Sequence, residues 1–310
     1  MIPAPTKLTA GDSQLSLLPD VGGAIVSFTV GGREVMGQQP RQAIAPVTLG
    51  DEDDWVRAWR GGWQLLLPNA GDRSPIAAEG FHGGASQARW VLEKCSQRLA
   101  RVSWADAGGL AVSRELILRD GGLRVTTEVT NQSARERPIL VTEHLVLGGE
   151  MLAADARLFA DAPTTIQLLA ADGSGNEHES EAWPGNPQLA WERVGIGTDP
   201  RVGVLTNVPA SGVTMSTDAL SAQVTWSRDE LPFLWLWEEI EATDKAPWFG
   251  EYRVVGIEPS NHPDTRGLDR ATQLGTAQVI SAGATRTWWT DLTITPVDPA
   301  TSERSLGGVQ

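Results

Sequence analysis

Apolar and polar positions alternate along most of this chain. "SQLSLLP", "GAIVSFTVGG", "VGVLTNV", "GVTMSTD", "AQVTWSR" and "TRTWWTDLTITPV" show either that alternation or enrichment in β-branched residues, the marks of half-buried strands. Turn signals separate them: "VGG", "AGG", "DGG" and "ADGSGN". "LILRDGGLRVTTEVTN" predicts a hairpin closed at Asp120-Gly121-Gly122. Long amphipathic stretches are nearly absent. The best helix signal is "LDRATQLG", Leu268–Gly275, with Gly275 as its stop. "GNEHESE" reads as a polar loop and its His178 receives no role. No repeat of 20–50 residues and no low-complexity linker breaks the pattern. The pattern therefore predicts an all-β chain, one large antiparallel domain over residues 1–310 with few short helices, and loose ends at about 1–8 and 298–310.

Composition narrows the function classes. Of the 310 residues 41% are hydrophobic, which suits a globular chain, and the net charge of −14 argues against nucleic acid or an anionic membrane as partner. No apolar run approaches the length of a membrane span, and "MIPAPTKLTAGDSQ" lacks the apolar centre of a signal peptide, so a cytoplasmic protein is expected. With Cys95 alone, neither an internal disulfide nor a cysteine-based zinc site can form. There are 13 Trp against one Tyr and five Phe. Tryptophan faces serve core packing first, and they also make platforms for the C–H faces of a sugar ring.

The candidate chemistry is sparse. "VVGIEPSNHPDT" runs as an apolar strand straight into Glu258 and then a proline. A carboxylate there is costly to bury unless paired or used. Three readings stand: a charge turned to water, a structural ion pair, or a catalytic base tuned by its surroundings. The chain has four histidines. His82 sits in the glycine turn "FHGG", His144 ends the apolar stretch "PILVTEHLVLGG", and His262 follows Glu258 by four positions. Each reads equally as a turn, core or loop residue. No HExxH, GxSxG or phosphate-loop motif occurs, which leaves no strong metal, serine-hydrolase or nucleotide signal. What remains is a carboxylate and histidines at strand ends, the equipment of acid–base chemistry with no metal and no cofactor.

The order "GGWQLLLPNAGD", "FHGG", "LRVTTEVTNQSARERPILVTEHLVLGG", "IEPSNHPDT" resembles the aldose 1-epimerases, the galactose mutarotase-like proteins. The likeness runs from about residue 10 to about residue 295. It implies a β-supersandwich that binds a free monosaccharide in an open cleft and interconverts its α and β anomers by opening the ring. It implies Glu258 as the catalytic base, His144 as the acid at the ring oxygen, and His82 and Asn69 as substrate-binding residues. Two departures stand out. The family's Asn-Arg pair is Asn69-Ala70 here, with Arg73 or Arg60 as candidate replacements, and its substrate-binding aspartate has no clean counterpart. In "LPFLWLWEEI", Trp237 or Glu238 is the candidate to line the cleft instead, and Trp63 joins Trp237 as an expected cleft tryptophan. Alternatives are an epimerase of hexose 6-phosphates, with Arg57, Arg60 and Arg73 gathered on the phosphate, and a non-catalytic carbohydrate-binding protein. The expected partner is the sugar alone, the chain being a monomer or homodimer.

Overall fold

The alternating stretches pair into strands, every pairing among them antiparallel. In the computed structural model, residues 4–297 are described apart from 154–155, 163, 170–174, 184–193 and 195–198. Among them the strands form an eleven-stranded sheet, an eight-stranded sheet and a small two-stranded one. The middle of the large sheet runs Trp63–Leu66, Thr142–Leu147, Arg253–Ser260, Phe233–Ile240, Arg201–Thr206. The eight-stranded sheet is built around the expected hairpin, Leu110–Arg119 with Gly122–Asn131, which turns at Asp120 and Gly121 (φ 66°). Gly121 accepts that left-handed backbone without a steric cost.

The two large sheets stack into a sandwich. Leu145, Leu147, Leu236 and Ile257 of one meet Leu116, Val125 and Leu292 of the other in one continuous apolar cluster. Burying such a side chain contributes about 1.5–3 kcal/mol. The large sheet is also covered on its outer face. There Val146, Val254 and Trp235 pack with Trp55, Leu268 and Ala271, which come from two short helices, and with Trp59, which ends the first of them. The first helix, Glu52–Ala58, is not expected from the sequence. Asp51 caps it by accepting the Asp54 N–H at 3.0 Å, and its first turn is acidic, which suits the positive end of the helix dipole. The second, Gly267–Leu274, is the expected one, stopped by Gly275 at φ 69°.

Two expectations are corrected. The N-terminus is not loose to residue 8: Thr6–Ala10 pairs with Ser13–Leu18, and Leu8 is fully buried. "GNEHESE" belongs to the strand Gly175–Trp183 rather than a loop. The tail 298–310 lies outside the described residues. No helix among the described residues is long and apolar enough to cross a membrane.

Candidate active site

Strand register brings the sequence candidates together. Thr142 lies opposite Ser260 and Val146 opposite Gly256, which sets His144 opposite Glu258. Glu258 in turn faces Trp235 on its other side, and His144 faces Gln64. Residues directly opposite in a sheet share a face, so Gln64, His144, Glu258 and Trp235 make one row across the outer face of the large sheet. His144 Nε2 stands 3.7 Å from Glu258 Oε1, and both side chains are almost fully buried.

His144, Glu258 and Trp235 of this row floor a cavity of about 550 Å³ whose walls include Trp55, Trp237 and Trp248, with His82 beside His144. The short helix carries Trp55 over both imidazoles, edge to face, at ring distances of 4.6 Å from His82 and 5.2 Å from His144. Its indole N–H donates to Ser86 Oγ at 3.0 Å, which fixes the ring. His82 occupies a left-handed turn (φ 61°), and its Nδ1 accepts the Gly71 N–H at 3.0 Å. In the neutral ring Nε2 therefore carries the hydrogen. Gly71 is glycine for a reason: a Cβ there would collide with the Thr265 carbonyl.

Burial sets the proton affinities. It lifts Glu258 well above the usual carboxylate range and drives His144 down to about 3. His82 is pushed well below its ordinary value by burial and by the neighbouring His144. The Glu258–His144 pair thus prefers its uncharged form, with one exchangeable proton between the two groups. Glu258 accepts no hydrogen bond from the described residues, and His144 Nδ1 is buried without a partner.

Other candidates lie elsewhere. Trp63 is fully buried on the opposite face of the sheet, where its indole donates to Glu143 at 2.7 Å; its neighbour Gln64 takes the outer face and donates to the Ser86 carbonyl at 2.9 Å. Glu238 alternates away from Trp237 in the same manner and pairs with Arg201. The acid on the cleft side is Glu239, whose oxygens accept from the backbone of Ala242 and Thr243 and from the Thr243 hydroxyl. Asn69 is fully buried and does not line the cavity. It donates to the carbonyls of Asp72 and Gly80 and accepts from Ser74 and from the Leu268 N–H. It ties the Gly71 loop, the His82 turn and the second helix together. Arg73 is exposed and outside the cavity, and Arg60 is held by the carbonyls of Ala43 and Ile44. Neither replaces the missing arginine, and Arg57 does not line the cavity either. His262 is buried in its own knot with Asp264 and Thr276.

Sequence reasoning missed Trp55, Trp248 and Lys245, all of which line the cavity. Lys245 is the one cation among the described lining residues, facing the acids Glu52, Asp72 and Glu239. Burial, then the neighbouring Asp53, raises Glu52 above its ordinary value. Among the described residues no cluster of three or more His, Cys, Asp or Glu is arranged to hold a metal ion.

A family of domains described as of unknown function, DUF4432, matches residues 109–294. No curated protein matches the sequence. Solved structures do match in fold. A galactose mutarotase-like protein from Clostridium acetobutylicum superposes with a TM-score of 0.68 at 16% identity, covering 94% of this chain and 95% of that one. A galactose mutarotase-like protein from Lactobacillus casei gives 0.67 at 17%, covering 94% and 100%. Galactose 1-epimerase from Lactobacillus acidophilus gives 0.62 at 15%, covering 94% and 93%. The fold is that of the galactose mutarotase-like β-sandwich.

Proposed function

Because this chain belongs to the DUF4432 family and carries a galactose mutarotase-like fold, we propose that it is an aldose 1-epimerase acting on an uncharged monosaccharide. The observation that carries this reading is the buried pair of Glu258 and His144, 3.7 Å apart on the floor of a tryptophan-walled cavity. Opening a cyclic hemiacetal requires the anomeric hydroxyl to lose a proton while the ring oxygen gains one. After the C1–C2 bond rotates, closure runs the same transfers backwards. Two groups sharing one proton meet that need in both directions, and neither a metal nor a cofactor enters.

In this assignment Glu258 serves the anomeric hydroxyl and His144 the ring oxygen. Burial holds the shared proton on Glu258. Opening therefore begins with that proton on His144, a shift over a short gap that the hydroxyls of a bound sugar favour by solvating the carboxylate. Opening leaves Glu258 protonated and His144 neutral, the arrangement that closure then uses. His82, which lines the cavity and carries its hydrogen on Nε2, is assigned to a sugar hydroxyl. Trp237 and Trp248 are assigned to the C–H faces of the ring, as aromatic walls suit them.

The charge of the cavity bears on the substrate. Among the described lining residues Glu52, Asp72 and Glu239 outnumber the one cation, Lys245, a poor setting for a phosphate dianion. This favours free sugars over hexose 6-phosphates. A polarimetric panel of freshly dissolved free and phosphorylated aldoses tests it. The expected result is faster mutarotation of at least one free sugar and none of its 6-phosphate. Acceleration confined to phosphates would reject the substrate class, and no acceleration at all would reject the activity.

A further inference from the structure

Gly256 stands in the middle of the buried strand Arg253–Ser260, two positions before Glu258 and on the same face. Glycine weakens a strand interior, having no side chain to pack. No left-handed backbone calls for it here, since Gly256 is absent from the positive-φ positions. Its neighbours supply the reason. A methyl group on Gly256 would collide with Oε1 of Glu258 and stand 3.0 Å and 3.2 Å from its Cδ and Cγ. The three atoms nearest to that missing methyl all belong to the Glu258 side chain, none to backbone. The carboxylate therefore folds back along its own strand into the space a side chain would fill. Trp237 and Val146 flank that space from the strands on either side.

We propose that Gly256 is a positioning residue for the acid–base pair: its missing side chain is the seat that holds the Glu258 carboxylate low in the cavity and against His144. The inference rests on the mutarotase reading for its kinetic consequence only; the seat itself is a matter of geometry. Without the seat, the carboxylate is pushed up and away from the imidazole, into the open part of the cavity. There it regains water, and the burial that lifts its proton affinity is relieved. The fold has little reason to suffer, because what an added methyl meets is the far end of a flexible side chain.

The test uses Gly256→Ala, Glu258→Asp and the double variant in the full chain. Gly256→Ala should melt at or above the wild-type temperature and lose about 10²-fold in kcat, the scale of one positioned acid or base. The double variant should be no slower than Glu258→Asp alone, because the shorter side chain has no atom where Oε1 of Glu258 meets the added methyl. A structural defect would instead multiply the two losses. A second readout needs no activity. The carboxyl carbon of Glu258, labelled with carbon-13 and assigned by its loss in Glu258→Gln, should titrate at lower pH in Gly256→Ala than in the wild type. If no sugar is turned over but this midpoint still falls, the mutarotase reading fails and the seat stands. Wild-type titration together with wild-type turnover in Gly256→Ala would overturn the inference.

Discussion

Two buried glutamates lie on neighbouring strands of one sheet and face opposite ways. Glu143 points between the sheets, where every direction offers a donor. Trp63 and Arg114 reach one of its oxygens at 2.7 and 2.6 Å; Thr127 and Trp288 reach the other at 3.0 and 2.8 Å. Those donors come from both sheets, so this carboxylate pins the sandwich together directly behind His144. Glu258 points into the cavity, with His144 at 3.7 Å and no donor among the described residues. The same side chain at similar burial thus plays two parts. Where the lone pairs are taken the carboxylate is a fastening. Where they are left open and water is removed, its proton affinity rises and it becomes a group that can exchange a proton with a ligand.

The sharpest way to break this comparison is to neutralise the fastening. Glu143→Gln leaves the Arg114 guanidinium buried with no counter-charge, and removing one partner of such a pair costs about 3–5 kcal/mol. Chemical denaturation should show a loss on that scale. A loss within experimental error would mean that Glu143 is no more structural than Glu258.

Glu258→Gln should move stability the other way, by a smaller amount and with a definite pH signature. Folded Glu258 keeps its proton well above the 4.5 at which the unfolded chain releases it. As pH rises through that window the unfolded state is favoured, so wild-type stability falls and the glutamine variant is spared. Its advantage in melting temperature should open near pH 4.5 and widen upward. His144 acts on the acid side. Its folded value of about 3 lies below the unfolded 6.5, so stability is lost as pH falls through that range, and His144→Asn should be spared there. Melting curves of both variants from pH 3 to 9 check the two slopes; parallel curves would mean that neither group is desolvated as described.

The sequence carried the strands and the order of the motifs, and through them the pair itself. The hairpin at Asp120 and Gly121 and the helix stopped by Gly275 were readable because turn chemistry is local. What failed was the phase. Trp63 and Glu238 each lie one residue out of step with the cleft face. In a sheet covered on both sides, "FLWLW" is apolar at every position and the two glutamates that follow it are adjacent, so alternation no longer says which side is in. Asn69 was legible as a polar residue in a turn, yet its hydrogen-bonding capacity is spent on backbone that lies far off in sequence, at Leu268 among other places. The helix Glu52–Ala58, and with it Trp55, is two turns long, too short for an apolar stripe to show. Its signal was Asp51 followed by Glu52, Asp53 and Asp54, a cap and an acidic first turn. The 3.7 Å approach of His144 to Glu258 came only from the register of their strands.

The central claim is that Glu258 is the exchangeable carboxylate of a ring-opening pair. Anomer exchange at equilibrium, followed by proton NMR on a free aldose that the wild type turns over, tests it most directly when wild type and Glu258→Gln are measured beside their sugar affinities. The account predicts a loss of about 10²–10⁴-fold in exchange rate with affinity largely kept, since glutamine preserves shape and removes basicity. Exchange at the wild-type rate in Glu258→Gln would contradict it and return this carboxylate to a structural role.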